Sequence, residues 1–449
     1  MLNILFAYFI SFVIGNLFIV LIFPRNGYTY EKNDLYMHFV LSWPVGLGIS
    51  SFLSFYLLLM FGNSNAEIFL NAHLIVVFIL MLINIQNKKL FKYFDTISHR
   101  TINTKKLGVI IVLFSLFFLM LRPYLVNFRY GCWDAISAWN LRARLLLVSD
   151  NWLRSFSGLM WAVDYPILLP LNILWGWLFS GQDAVMVPLL ISVVYSFSII
   201  AFIFLATSRY YGLKKSVLVV LFLASITIFL EVASMQYADI VLSCYNVIGA
   251  VCCFFGIKEN RVDYILIGEM ALGFSIFTKN EGLLFFVFFN FFMLYYLLLH
   301  DRQLLRLYVY GILISIVSLL TLIVFKKTVG SPHIVFFSKG VPLLLFCKRA
   351  KEFFLYIPSM IFKIRYWSLS GYVFLTVFIL LRNELFRGSR FIISLAALST
   401  FLGYFVVYVL RIESSSEHLV ASYARFIVHL LPLLCFLTAD VLFARNKKK

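Results

Sequence analysis

The sequence predicts an all-α polytopic membrane protein with about thirteen transmembrane helices, and three observations lead there. The 449-residue chain is 62% hydrophobic and 13% charged, too apolar for its own polar groups to cover in water. Apolar runs of about 20 residues, long enough to cross a hydrocarbon core of roughly 30 Å, recur from end to end. They do not alternate in polarity as barrel strands do, so the spans are helical.

The first residues, MLNILFAYFI, lack the positively charged start and small-residue cleavage site of a signal peptide, so a retained first span is expected. Spans follow at 4–23, 39–61, 67–85 and 107–126. The loop before the fourth carries Lys88, Lys89, Lys92, Arg100, Lys105 and Lys106. Such a basic loop stays cytoplasmic, and span 107–126 then delivers the next segment to the outer side.

That segment, 129–170, is the longest stretch a bilayer would reject. It holds Asp134, Asp150 and Asp164 with Arg129, Arg142, Arg144 and Arg154. Residues 166–180 are apolar, but they are short and contain Pro166 and Pro170. A crossing here would invert every later basic loop, so they are read as an interfacial or half-membrane helix on the outer side. Further spans are then expected at 184–207, 216–230, 238–257, 264–278, 282–299, 306–325, 366–381, 390–411 and 424–443. A second outer region, 326–365, is expected to carry surface helices of its own.

The net charge of +18 is not a nucleic-acid signature, because no soluble basic face exists to display it. Twenty-two of the 38 Lys and Arg fall in the expected cytoplasmic loops, leaving sixteen at the outer side. So many cations on that face suit an anionic ligand such as a phosphate, although some would simply snorkel from span ends. Six cysteines show no metal-ligand spacing, and neither a metal nor a cofactor is expected.

With this topology, Asp134, Asp164, Asp239, Lys279, Glu281, Arg425 and His429 map to one membrane face in separate hairpins. Arg425 and His429 are four apart and share a helix side. An ionisable group at such a boundary is costly unless paired or solvated. The plain alternative for each is a structural ion pair, Asp239 with Lys279 for instance. Convergence of acids and bases over a hydrophobic bundle suits an amphiphilic substrate with an anionic head and a lipid tail.

WDAISAWNLRARLL and VDYPILLPL in the first outer loop, then QYADIVLSCY, TKNEGLLF and SYARFIVHLLP, together resemble the GT-C membrane glycosyltransferases. The flavour is that of bacterial relatives of protein O-mannosyltransferases and of lipid A aminoarabinose transferases. The resemblance covers about 107–443. It divides the chain into a three-span accessory region, 1–106, and a GT-C-like catalytic core, 107–449, with outer loops 127–183 and 326–365.

The resemblance implies an inverting transfer from a polyprenyl-phosphate-linked sugar to a glycan, lipid or protein acceptor. The reaction would take place on the extracytoplasmic face of a bacterial cytoplasmic (inner) membrane, with membrane lipid as partner and no nucleic acid. It implies Asp134 as the catalytic carboxylate. Arg142, Lys279, Arg425 and His429 are the candidates for binding the donor phosphate, with Lys339, Lys348 and Arg349 as further cations. Asp164, Asp239 and Glu281 would orient the acceptor or a cation. Two departures stand out: Asp134 has no acidic neighbour in the chain, and no large soluble domain follows RNKKK. A paired-carboxylate metal site is therefore not expected. A lipid-linked glycan flippase or an envelope polysaccharide polymerase or ligase would be the alternatives. The intramembrane polar residues gather at the outer rim instead of lining a path, Glu269 excepted.

Overall fold

The computed structural model describes residues 2–22, 32–98, 104–156, 163–180, 184–330, 341–410 and 416–445. Parts of both expected outer loops, including Lys339, lie outside them. The described residues form helices joined by short turns, as hydrocarbon demands of a backbone that must satisfy its own polar groups.

The first three helices, α1 (Leu2–Ile22), α2 (Lys32–Phe61) and α3 (Ala66–Gln86), form an N-terminal group. α1 and α2 approach almost backbone to backbone. A Cβ on Gly15 would overlap the Ser42 carbonyl oxygen, and one on Gly46 would overlap that of Ser11. The contact repeats small residues every fourth position, Ser11 and Gly15 against Ser42, Gly46 and Ser50. It is closed by a hydroxyl bond of 2.8 Å between Ser11 and Ser50. Without a hydrophobic drive between helices in lipid, such close packing and hydrogen bonding hold spans together.

An amphipathic helix, α4 (Lys89–Ser98), leads to α5 (Thr104–Asn127) and then to the polar segment with α6 (Asn140–Val148). The expected half-membrane helix is α7 (Leu168–Ser180), whose residues from Leu168 to Trp177 are all buried. At 13 residues it is about 20 Å long, too short to span. It is enclosed by the bundle and does not lie in an interface. Tyr8 donates to the Asn172 carbonyl at 3.0 Å, and Ser51 to the Leu168 carbonyl at 3.1 Å. Asn172 donates to Tyr195 at 3.0 Å, and the Trp175 indole donates to the Ala7 carbonyl at 2.9 Å. These bonds tie α7 to α1, to α2 and to the long helix α8 (Met186–Ala224).

After the short α9 (Thr227–Ser234) come α10 (Ala238–Glu259), α11 (Val262–Thr278), α12 (Asn280–His300) and α13 (Arg302–Thr328). α10 and α11 are the centre: nearly all of α10 and α11 is buried, which suits helices apolar all round. The remaining helices are α14 (Leu343–Ile361), α15 (Ile364–Trp367), α16 (Ser370–Leu385), α17 (Arg390–Leu410), α18 (Ser416–Val428) and α19 (Leu431–Arg445).

By length and composition nine described helices can cross a membrane, or ten with a bent pair counted as one. The expected thirteen spans are not confirmed as a count, and each difference has a local cause. Spans 184–207 and 216–230 run together in α8 across Gly212, whose φ of 78° breaks the helix where a glycine can turn. α11 has 17 residues and α16 has 16, short of a comfortable span. The expected span 424–443 is α18 and α19 meeting at 44°, with Pro432 in the first turn of α19, where its missing N–H costs nothing.

The charges collect at the two ends of the bundle. Asp239 opens α10 and Glu259 closes it, so about 30 Å of helix separates them. At the Glu259 end, Asp34 bridges Arg209 at 2.6 Å and Arg261 at 2.9 Å, Arg209 reaches Glu259 at 2.6 Å, and Arg261 reaches Asp263 at 2.5 Å. Nearby, Asp440 holds Arg390 at 2.5 Å. These networks fasten six helices, and every partner is engaged. The opposite end is different.

Candidate active site

The site is built on a turn. Between α9 and α10, Gln236 takes a positive φ of 61°, a strained choice for a residue with a side chain. The side chain is what the conformation serves. Its Nε2 donates to the Phe128 and Arg129 carbonyls at 3.0 Å each, and its Oε1 accepts from Asn140 at 2.9 Å. The Cys132 N–H adds a bond to the Met235 carbonyl at 3.2 Å, and the Asp134 N–H donates to the Tyr237 hydroxyl at 3.3 Å. This clamp fixes the first polar loop against the start of α10. Asp134 then leads into a π-helical turn, Ala135–Trp139, a wide geometry that often marks functional sites.

Asp239 is the hub. Its Oδ1 accepts from Lys279 at 3.0 Å, from Arg425 Nε at 3.3 Å and from His429 Nε2 at 2.7 Å. Arg425 continues to Asp134, Nη1 to Oδ2 at 2.5 Å. Lys279 continues to Glu281 at 3.4 Å. His429 Nδ1 sits 3.1 Å from the Tyr404 hydroxyl, so the tyrosine and Asp239 hold the ring from both sides. Asp239 and His429 are fully buried and Lys279 is 1% exposed. Arg425 and His429 share one helix side as expected, because the His429 N–H still bonds the Arg425 carbonyl at 3.1 Å past the end of α18. The Asp239–Lys279 ion pair is present, and it is part of a cluster of six ionisable residues.

A second group lies beside the first. Tyr165 donates to Glu281 at 3.3 Å, and Lys279 Nζ stands 5.6 Å from the centre of its ring. Asp164, next in the chain, accepts from Asn280 Nδ2 at 2.8 Å. Arg142 is fully buried, donates to the Tyr165 carbonyl at 3.2 Å and stacks over Phe156 at 5.1 Å. Burial pushes its guanidinium down to about 10, with Asp164 opposing the fall, so it stays cationic at neutral pH. Lys326, at the end of α13, donates to Asn280 Oδ1 at 2.9 Å.

All eight residues singled out from the sequence therefore lie in two adjoining groups at one end of the bundle. Asp134, Asp239, Lys279, Glu281, Arg425 and His429 form the first; Arg142 and Asp164 belong to the second. Sequence reasoning missed Lys326, Tyr165 and Tyr404; it placed Gln236 and Asn280 at the outer span ends without giving them a role. Lys326 was findable: Gly311, Ser315, Ser318, Leu322 and Phe325 mark the buried stripe of α13, and continuing it one residue turns Lys326 inward and Lys327 outward. Of the other cations, Lys348 is exposed, and Arg349 donates to the Val409 carbonyl at 3.0 Å. Buried Asp239 Oδ2 and Glu281 Oε2 have no hydrogen-bond partner among the described residues. Among the described residues no group of three or more His, Cys, Asp or Glu could hold a metal ion.

A buried hub, a carboxylate beside it and cations on two sides thus stand at one end of an apolar bundle. The fold has counterparts among solved structures. ArnT from Cupriavidus metallidurans bound to undecaprenyl phosphate superposes with a TM-score of 0.50 at 14% identity, over 75% of this chain and 60% of that one. Its apo state gives 0.49 at 16% identity, over 74% and 59%. The oligosaccharyltransferase of Archaeoglobus fulgidus, in complex with zinc and sulfate, gives 0.48 at 12% identity, over 76% and 50%. No family model matches the chain, and no curated protein sequence matches it.

The protein is thus an all-α polytopic membrane protein with the GT-C fold. Within that class its likeness is to ArnT, of which it spans about 60% of the length.

Proposed function

We propose that this protein is a glycosyltransferase that moves a sugar from a polyprenyl-phosphate-linked donor to an acceptor hydroxyl, with inversion, at the extracytoplasmic face of a bacterial cytoplasmic membrane. The observation that carries the reading is the pairing of Asp134 with Arg425 over the Asp239 hub, on a GT-C fold. The undecaprenyl phosphate bound to ArnT supports a donor of the same chemical class.

In this mechanism Arg425 holds Asp134 Oδ2 and leaves Oδ1 to act. The acceptor oxygen attacks the anomeric carbon, its proton passes to Asp134, and the bond from that carbon to the phosphate oxygen breaks. The polyprenyl phosphate departs with the electron pair. A base on the ring face opposite the leaving group gives inversion. Arg142, Lys279, Arg425 and His429 supply the positive environment in which the phosphate binds and its developing charge is stabilised. Asp239 fixes three of them in place, while Asp164 and Glu281 orient the acceptor.

The test is transfer of radiolabelled sugar from polyprenyl phosphate in reconstituted vesicles, wild type against Asp134→Asn. General-base catalysis contributes about 10²–10⁴-fold, and a loss of that size is expected. Full activity in the variant would remove Asp134 from the role. A flippase would want a polar path through the bundle. Glu269, the mid-bundle candidate, is buried and bonded to Ser315 at 2.8 Å, which makes it a tie between α11 and α13.

A further inference from the structure

Three of the four groups assigned to the phosphate are already engaged. Lys279 lies between Asp239 and Glu281, Arg425 between Asp134 and Asp239, and His429 between Asp239 and Tyr404. An incoming anion must compete with a carboxylate or a fixed hydrogen bond at each.

Lys326 differs. It is 5% exposed, yet among the described residues no carboxylate oxygen lies within ion-pair distance of its Nζ. Its single hydrogen bond goes to the neutral Asn280 amide. The orientation of that amide is forced: an ammonium can only donate, so Oδ1 must face Lys326, and Nδ2 is left for Asp164. Asn280 thus stands between Lys326 and the carboxylate that would otherwise neutralise it. An ammonium has three N–H donors, and two of these have no acceptor among the described residues. A buried cation so arranged is costly, and a bound oxyanion would repay it.

Resting on the glycosyl-transfer reading, we infer that Lys326 is the residue that directly receives the phosphate of the lipid-linked donor, with Asn280 holding it in position. Asp164, on the far side of Asn280, keeps the surroundings from becoming too positive while leaving the ammonium unpaired. Lys279 and Arg425 then act on the phosphate without giving up their carboxylates.

The test measures binding of undecaprenyl phosphate, of neutral undecaprenol and of inorganic phosphate to the purified full-length chain in detergent. Wild type, Lys326→Met and Lys327→Met are compared, and thermal unfolding of each is recorded. Lys326→Met should bind undecaprenyl phosphate at least tenfold more weakly, bind undecaprenol as wild type does, and melt no lower than wild type because it loses an unpaired buried charge. Lys327, exposed on the next position, should tolerate methionine without change. Equal undecaprenyl phosphate binding by wild type and Lys326→Met overturns the inference and leaves glycosyl transfer standing. So does a Lys326→Met variant that loses only inorganic phosphate. A wild type that binds undecaprenol as tightly as undecaprenyl phosphate overturns the inference together with the donor class. A marked fall in melting temperature for Lys326→Met would show a structural role and overturn it too.

Discussion

Arg425 joins Asp134 to Asp239: its Nη1 is 2.5 Å from one carboxylate and its Nε is 3.3 Å from the other. The two aspartates come from different hairpins, more than 100 residues apart. The guanidinium makes them one unit, because its planar fork presents donors in two directions at once.

Asp239 should therefore matter more to folding than Asp134. Asp239→Ala would strip Lys279, Arg425 and His429 of their common acceptor, leaving Lys279 with Glu281 alone and Arg425 with Asp134 alone. Breaking a buried pair in this way costs about 3–5 kcal/mol. Thermal unfolding in detergent should show a large drop for Asp239→Ala and a much smaller one for Asp134→Asn. The reverse order would mean that Asp239 is not the hub.

Arg142 offers a pH test. Burial pushes its pKa down to about 10, with Asp164 resisting, so wild-type activity should not respond to this residue below that pH. A lysine starts from about 10.4, and the same burial brings its deprotonation into the alkaline assay range. Arg142→Lys should lose activity as pH rises, while wild type does not. Its stability should move the other way: the folded state binds fewer protons than the unfolded one, so stability rises with pH. Parallel pH profiles for the two proteins would contradict this account.

Gly46 should accept no side chain. Its missing Cβ is where the Ser11 carbonyl of α1 lies, and backbone cannot move aside as a flexible side chain can. Gly46→Leu should separate α1 from α2, lower the melting temperature and raise exchange of α1 amides. Gly62 has a φ of 76° and open space around it. Gly62→Ala should disturb only its own turn.

Labelling with an impermeant thiol reagent checks how the bundle lies in the membrane. Asn151 and Lys214 are exposed, Asn151 in the polar segment with the site and Lys214 beside the Arg209 network. In a Cys347→Ser background, Asn151→Cys and Lys214→Cys should react from opposite sides of sealed vesicles. Reaction from the same side would mean that α7 crosses after all.

The helical class and the shared end of eight polar residues were legible along the chain. Each depends on local quantities: the length of an apolar run, the Lys and Arg count of a loop, a spacing of four on a helix. The half-membrane reading of 166–180 followed from its length, its prolines and the basic loops that a crossing would have inverted, and α7 is correspondingly short. Its enclosure by α1, α2 and α8 was not legible, because Tyr8, Ser51 and Tyr195 look like ordinary small polar residues in apolar spans until the packing brings them to Asn172.

The sequence by itself determined which residues could carry charge at the rim and on which end of the bundle they fall. Only the tertiary structure decided which of them are paired. A carboxylate in one hairpin has no fixed partner along the chain, and the ranking of Asp134, Asp239 and Lys326 depends on which neighbours stand within hydrogen-bonding reach. Packing made Asp239 the shared acceptor of three donors, and placed Asn280 between Lys326 and Asp164. In a low-dielectric interior that difference of one interposed amide separates a neutralised ion pair from a cation with bonds still to make.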